Sequence, residues 1–224
     1  MAFILSIETS TTVCSAALHE QGELLLDREA QTPQSAAAQL TPMIDALFRD
    51  TTLDKTRLQA VAVSAGPGSY TGLRIGVATA KGICYALDIP LITIDSLHVL
   101  ADSLEPKAEE SLLCPMIDAR RMEVYTCVLT SSLDVIESTR PQVVDETTFS
   151  ELLGGQPIVF FGNGADKCRA VIRHPNALFR PGIYPRARAM GRQALRKFET
   201  STFADVRQFE PAYLKEFVAK TKKT

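Results

Sequence analysis

Residues 3–28 read Phe3-Ile-Leu-Ser-Ile-Glu-Thr-Ser-Thr-Thr-Val-Cys-Ser-Ala-Ala-Leu-His-Glu-Gln-Gly-Glu-Leu-Leu-Leu-Asp-Arg28. Three short apolar or alternating runs, Phe3–Ile7, Val13–Leu18 and Leu24–Arg28, are separated by the hydroxyl-rich Thr9–Thr12 and by Gly22. Runs of this length with turn residues between them predict three strands joined as a meander. Downstream, Ala36, Leu40, Met43, Ile44 and Leu47 recur at helical spacing, with Pro33 near the start. A strand over Leu58–Ser64 ends in Gly66-Pro67-Gly68, a helix follows over Thr71–Leu87, and a strand over Pro90–Ile94. Ser96 is placed to cap a third helix through Leu104.

Glu105–Glu110 is polar and contains Pro106, which marks a boundary between an N-terminal lobe, residues 1–104, and a smaller C-terminal lobe, residues 105–224. The second lobe repeats the order in weaker form. Strands are expected over Ser111–Ile117, Val124–Leu129, Val135–Val143 and Pro157–Phe161, and helices over Thr147–Leu153, Gly164–Ile172 and Arg186–Phe198. The expectation is an α/β chain of two related lobes, each built on a β-β-β-α-β-α unit, around a cleft.

The formal net charge of −2 conceals two opposed halves. Residues 1–166 carry 10 basic and 22 acidic side chains, residues 167–224 carry 14 and 4, and none from Lys167 to Phe198 is acidic. Segregation on this scale needs a counterpart. Arg188, Arg192 and Arg196 recur at four-residue spacing, so their partner is the acidic half of the chain, an acidic protein, or RNA phosphates.

Several classes drop out. No apolar run approaches the roughly 18 residues that span a bilayer. The first residues lack the basic start of a signal peptide. Five cysteines without close pairing read as reduced, small hydrophobes of a cytoplasmic protein. His19, His98 and His174 stand apart, with no paired metal-ligand spacing.

Three turns are candidates for anion binding. Thr9, Ser10 and Thr11 could cradle a phosphate with an acid at Glu8, or form a plain polar hairpin. Gly66, Gly68 and Ser69 lead from a strand into a helix, but lack the lysine of a phosphate loop. Gly162 and Gly164 open another strand-to-helix turn. The charged run Asp118–Glu123 either contacts a ligand in the cleft or forms a salt-bridged hairpin. In the helix after Gly68, Gly72, Gly76 and Ala80 form a stripe beside Leu73 and Val77. Such a stripe admits another helix closely, either the first helix of this chain or a partner's.

Ile4-Leu-Ser-Ile-Glu-Thr-Ser10, Gly66-Pro-Gly-Ser-Tyr-Thr-Gly-Leu-Arg-Ile-Gly76, Ile117-Asp-Ala-Arg-Arg121 and Gly162-Asn-Gly164 together resemble the bacterial TsaB (YeaZ) family, in order over nearly the whole chain. The resemblance implies the two-lobed fold of the actin-like, sugar-kinase and Hsp70 ATPase superfamily (ribonuclease H-like). It also implies an accessory subunit without chemistry of its own, in threonylcarbamoyl transfer to adenosine 37 of tRNA. The partner would be a catalytic paralogue, TsaD, whose metal is held by two histidines four residues apart; this chain has Ile94 and His98 at the comparable place. Pairing would use the first two helices, roughly residues 34–48 and 71–85. Ala36, Leu40, Met43, Ile44, Leu47, Gly72, Leu73, Gly76, Val77 and Ala80 are then the expected contacts, and Gly76→Arg the probe that breaks pairing without unfolding. The same face would serve a homodimer when the chain is alone. A TsaE-type ATPase would dock on the pair, tRNA would be reached through the complex, and ATP or ADP and a metal would belong to the assembly, with no cofactor in this chain. Two positions depart from the family pattern: Glu8 stands where many relatives have Asp, and Ala36-Ala37 where many have His-Ser. The rival reading is a small-molecule kinase of the same superfamily with Asp118 or Glu8 as base. A metalloprotease lacks its ligands.

Overall fold

A computed structural model of the chain describes residues 1–31, 35–106 and 110–214. Pro33 and Gln34, at the expected start of the first helix, and residues 107–109 of the expected boundary lie outside them. The opening meander forms as β1 (Phe3–Glu8), β2 (Val13–Glu20) and β3 (Glu23–Gln31), paired antiparallel. Helix α1 (Ser35–Thr51) leads by a short 3-10 turn to β4 (Leu58–Ser64), which lies parallel to β1. Helix α2 (Tyr70–Leu87) leads to β5 (Leu91–Ile94), parallel to β4, and α3 (Ser96–Asp102) follows. The cap of α3 is Asp95, whose carboxylate accepts from Leu97 N at 2.7 Å, rather than Ser96.

The second lobe holds β6 (Leu112–Asp118), β7 (Glu123–Leu129), β8 (Val135–Val143), α4 (Ser150–Gly155), β9 (Ile158–Phe161), α5 (Ala165–Cys168) and β10 (Ala177–Arg180). A 3-10 turn over Ala187–Met190 then runs into α6 (Gly191–Glu199). The expected helix over Gly164–Ile172 is thus a single turn, and β10 is an additional strand.

That strand completes the duplication. The first sheet has the order β3-β2-β1-β4-β5 and the second β8-β7-β6-β9-β10, each with three antiparallel strands followed by parallel ones. This is the two-lobed, ribonuclease H-like α/β architecture of the actin-like class. β1 and β4 are apolar and buried almost throughout because helices cover both faces of their sheet.

The layers interlock across the lobes. On one face of the first sheet, Leu40, Met43, Ile44 and Leu47 of α1 pack with Val77 and Ala80 of α2 against Leu5, Ile7, Val61 and Val63. On its other face, Ile4, Ala60, Ala62 and Ile92 meet Val99 of α3 and Ala187, Met190 and Ala194 from the C-terminal segment. Leu97, Leu100 and Ala101 of α3 also pack on Leu113, Ile117, Val159 and Phe161 of the second sheet. Helix α3 therefore ties the lobes together. The basic helix α6, although it comes after β10 in sequence, is seated on the first sheet.

Candidate functional site

The β1–β2 turn, the Gly66–Ser69 loop and the start of α2 meet at one place. Ser69 caps α2, its hydroxyl accepting from Gly72 N at 3.2 Å. Ser69 N donates to Ser10 O at 2.7 Å, and Gly66 N donates to the Ser96 hydroxyl at 3.2 Å. A Cβ at Gly72 would clash with the Thr9 carbonyl, one at Gly76 with the Thr9 hydroxyl, and one at Gly68 with the Ser10 carbonyl. The glycines are there so that the first turn can sit directly on α2.

This arrangement answers two sequence expectations. Thr9, Ser10, Gly66, Gly68 and Ser69 do come together, with the partly exposed Thr11 on the same turn. However, the N–H groups of Gly66, Ser69 and Gly72 are already bonded, and carbonyl oxygens occupy the space above the glycines. Carbonyl oxygens so placed disfavour an anion directly against Gly68 and Gly72. At the second turn, Gly162 and Gly164 are similarly filled: a Cβ at Gly162 would clash with Met116 O, and Gly164 N donates to that same oxygen at 3.0 Å.

Glu8 lies fully buried beneath this junction. Its Oε1 accepts from Ser10 N at 2.5 Å, while Oε2 and the Thr9 hydroxyl have no hydrogen-bond partner among the described residues. Burial pushes the carboxyl up from 4.5 to about 7, against the opposing pull of Ser10, whose N–H donates to it. Asp118, the other candidate base, ion-pairs with Lys167, whose ammonium also donates to Glu123 O at 2.7 Å. The charged hairpin is thus closed by a lysine from α5.

The α1–α2 pair needs a correction. Leu40, Met43, Ile44, Leu47, Gly72, Leu73, Gly76, Val77 and Ala80 are buried inside this chain, and Ala36 packs partly against the same core. What approaches the Gly72–Gly76 stripe is the Thr9 turn, not another helix. The exposed residues of the two helices are Ala37, Ala38, Gln39, Thr41, Pro42, Asp45, Arg49 and Asp50 on α1, and Thr71, Arg74, Ala78, Gly82, Tyr85 and Ala86 on α2. Tyr85 is 78% exposed, and a Cβ at Gly82 would meet nothing within 4 Å.

Sequence reasoning missed what flanks α2. Residues 204–213 run back along it without regular structure. Ala204 N donates to Leu91 O at 2.8 Å, Lys81 Nζ to the carbonyls of Arg207 and Phe209, and Ala212 N to Ala65 O at 2.8 Å. Tyr213 ends against Tyr70 with ring centroids 4.8 Å apart, and Arg74 Nε donates to its hydroxyl at 3.1 Å. A segment held by scattered backbone contacts leaves no periodic trace in sequence.

The arginine stripe separates by position. Arg188 pairs with Asp27 at 3.7 Å and Arg192 with Glu23 at 3.9 Å, both on β3, as Arg186 does with Glu29 at 3.1 Å. Arg196 is exposed and makes no ion pair with a described residue. His19 is buried behind this seam, its Nδ1 3.1 Å from the Ser6 hydroxyl and its Nε2 3.2 Å from Arg188 O. Ile94 is buried in the core, and His98 sits partly exposed on α3. Among the described residues, no three His, Cys, Asp or Glu side chains gather as a metal site, and no helix is long and apolar enough to cross a membrane. All five cysteines are buried and unpaired, and burial raises their thiols, Cys14 to about 11 and Cys114 to about 12.

Residues 31–222 match the family model described as TsaD, tRNA N6-adenosine threonylcarbamoyltransferase. The Bacillus subtilis tRNA threonylcarbamoyladenosine biosynthesis protein TsaB is 31% identical over 163 residues, covering 71% of this chain and 70% of that protein. The Escherichia coli protein of the same name is 28% identical, covering 96% of each. Among solved structures, YeaZ from Pseudomonas aeruginosa superposes with a TM-score of 0.80 over 96% of this chain and all of that one, at 23% identity.

Proposed function

This chain belongs to the TsaB (YeaZ) branch of the family whose model is named for TsaD, and on that footing we propose that it serves tRNA threonylcarbamoyladenosine biosynthesis as a non-catalytic subunit. It binds and activates a TsaD-type catalytic paralogue, which transfers threonylcarbamoyl to adenosine 37 of tRNAs reading codons that begin with A. A TsaE-type ATPase joins the pair. ATP or ADP and the metal belong to that assembly.

The observation that carries this reading is the outward face of α1 and α2. Gly72 and Gly76 have an internal reason to be glycine, and Gly82 has none. A glycine in a helix interior costs about 1 kcal/mol relative to alanine. Ala78, Gly82 and Ala86 follow one another at four-residue spacing on the exposed side of α2, and Ala37 and Ala38 are exposed in the first turn of α1. Small residues let a second helix pair come close, and the exposed Tyr85 ring supplies a large contact at its edge. The non-catalytic assignment is supported by Ile94, which offers a metal no donor, and by the first turn packed onto Gly68, Gly72 and Gly76 where a nucleotide phosphate would need room.

The test is co-purification with the TsaD-type subunit. Gly82→Arg and Tyr85→Glu change exposed positions, so the chain should fold and lose its partner. Gly76→Arg is not a clean probe, because its side chain would drive Thr9 off the helix and damage the fold. Undiminished pairing in both outward variants would overturn this reading.

A further inference from the structure

Arg169, Arg173 and Arg180 share the acid-free stretch with the β3-facing arginines but meet no carboxylate. Together with His174, Leu178 and Phe179 they line an open concavity of about 550 Å³ where β10 forms the free edge of the second sheet. That volume lies within the usual range of ligand sites, roughly 300–1,000 Å³. All three arginines are exposed, none makes an ion pair with a described residue, and no Asp or Glu lines the concavity. Their charge is therefore not neutralised by any described carboxylate.

The surroundings hold these groups in place. Arg173 Nε donates to Ala170 O at 3.0 Å. The Arg169 guanidinium lies 5.7 Å from the centre of the Phe179 ring, and that ring stacks on buried Phe160 at 5.2 Å. Asn176 fixes the loop before β10, its backbone N donating to His174 Nδ1 at 3.2 Å and its side-chain amide to Leu153 O at 2.8 Å.

We propose that this concavity binds the phosphodiester backbone of RNA, an inference that rests on reading the chain as a tRNA-modification subunit. The cations are three arginines and no lysine, and a planar guanidinium grips a phosphate through two parallel hydrogen bonds. The partly exposed Phe179 ring beside them offers a surface on which a neighbouring base can stack, which an acidic peptide would not use. The strongly negative first 166 residues repel a polyanion elsewhere and favour contact here.

The test measures binding of unmodified tRNA by fluorescence anisotropy from 50 to 200 mM salt, using the full chain alone and the chain paired with its TsaD-type subunit. Arg169→Gln/Arg173→Gln/Arg180→Gln should weaken binding by about tenfold or more at the lowest salt. It should also flatten the slope of log affinity against log salt by about two, since each phosphate neutralised contributes about 0.7–0.9. Each single change should take a share of that loss, which keeps the outcome readable if the triple variant folds poorly. Arg188→Gln/Arg192→Gln should leave the affinity within about twofold. Unchanged affinity and slope in the triple variant, with pairing intact, would overturn the proposal. So would displacement of tRNA by poly-glutamate as readily as by polyuridylate at equal charge, which would assign the concavity to an acidic protein. Failure of the unaltered chain to pair would count against the proposed function instead, and the measurement on the chain alone would still decide the concavity.

Discussion

Two arginine clusters drawn from one acid-free stretch of sequence meet opposite environments. Arg186, Arg188 and Arg192 lie over β3 and face Glu29, Asp27 and Glu23. Arg169, Arg173 and Arg180 surround a concavity lined by no acid. Charge along the chain shows where counter-ions are needed, and topology decides which cations have already found them. The first cluster is reached because α6 crosses back to the first sheet, which brings a basic segment from one end of the chain against an acidic strand from the other. The second stays with its own lobe, where the neighbouring strand β9 is Ile158-Val159-Phe160-Phe161 and carries no charge.

The largest effect should come from unseating the first cluster. Gly191 begins α6 where a Cβ would clash with Gly22 O and the His19 ring. Gly191→Val should therefore cost about 3 kcal/mol, lowering the melting temperature by on the order of 10 °C. At the second cluster, Leu178→Ser changes a residue that is 44% exposed and should cost under about 1 kcal/mol. Equal losses in calorimetric melts would break the contrast.

Acid should loosen the first seat. Burial lowers the pKa of His19, so below about pH 6.5 the unfolded chain binds the extra proton and stability falls as pH drops. Glu8 acts in the opposite sense. With its carboxyl raised to about 7, its contribution is complete below about pH 4.5 and is lost as pH rises towards 7. Chemical denaturation is best followed in Glu8→Gln, where the fall on the alkaline side should vanish and the acid-side fall remain. If Glu8→Gln leaves stability between pH 5 and 8 unchanged, Glu8 is not buried as described.

The smallest effect concerns the ion pairs themselves. Arg192 and Glu23 are 84% and 77% exposed at 3.9 Å, a geometry worth about 0.5 kcal/mol or less. Arg192→Gln should melt within about 2 °C of the unaltered chain. A larger shift would mean that the pairs, rather than the packing of Ala187, Met190 and Ala194, hold α6 on the sheet.

Legibility in the sequence followed periodicity. The meander, α1, α2 and the strands up to β9 could be placed because alternation and helical spacing are local signals. β10 was invisible: Ala177-Leu-Phe-Arg180 is four residues between two prolines, with its leucine turned outward. The Gly72–Gly76 stripe was visible, but its occupant was not, since Thr9 is more than sixty residues away. Burial likewise sorted the helix positions. The residues with the clearest apolar spacing, such as Leu40 and Val77, form the core, while the exposed Ala78, Gly82 and Ala86 recur at the same helical spacing as the buried stripe, so spacing alone does not separate the two faces. The opposed charges of the two halves left Arg188 and Arg192 open to the acidic half, an acidic protein or RNA, and only the folded chain places them beside Asp27 and Glu23 of β3.

The most direct test of the account is threonylcarbamoyl transfer to unmodified tRNA by the TsaD-type subunit, with its ATPase partner, in the presence and absence of this chain. The account predicts that transfer requires the chain, that the chain alone supports none, and that Gly82→Arg abolishes the stimulation while remaining folded. Equal transfer without the chain, or transfer by the chain alone, would contradict it.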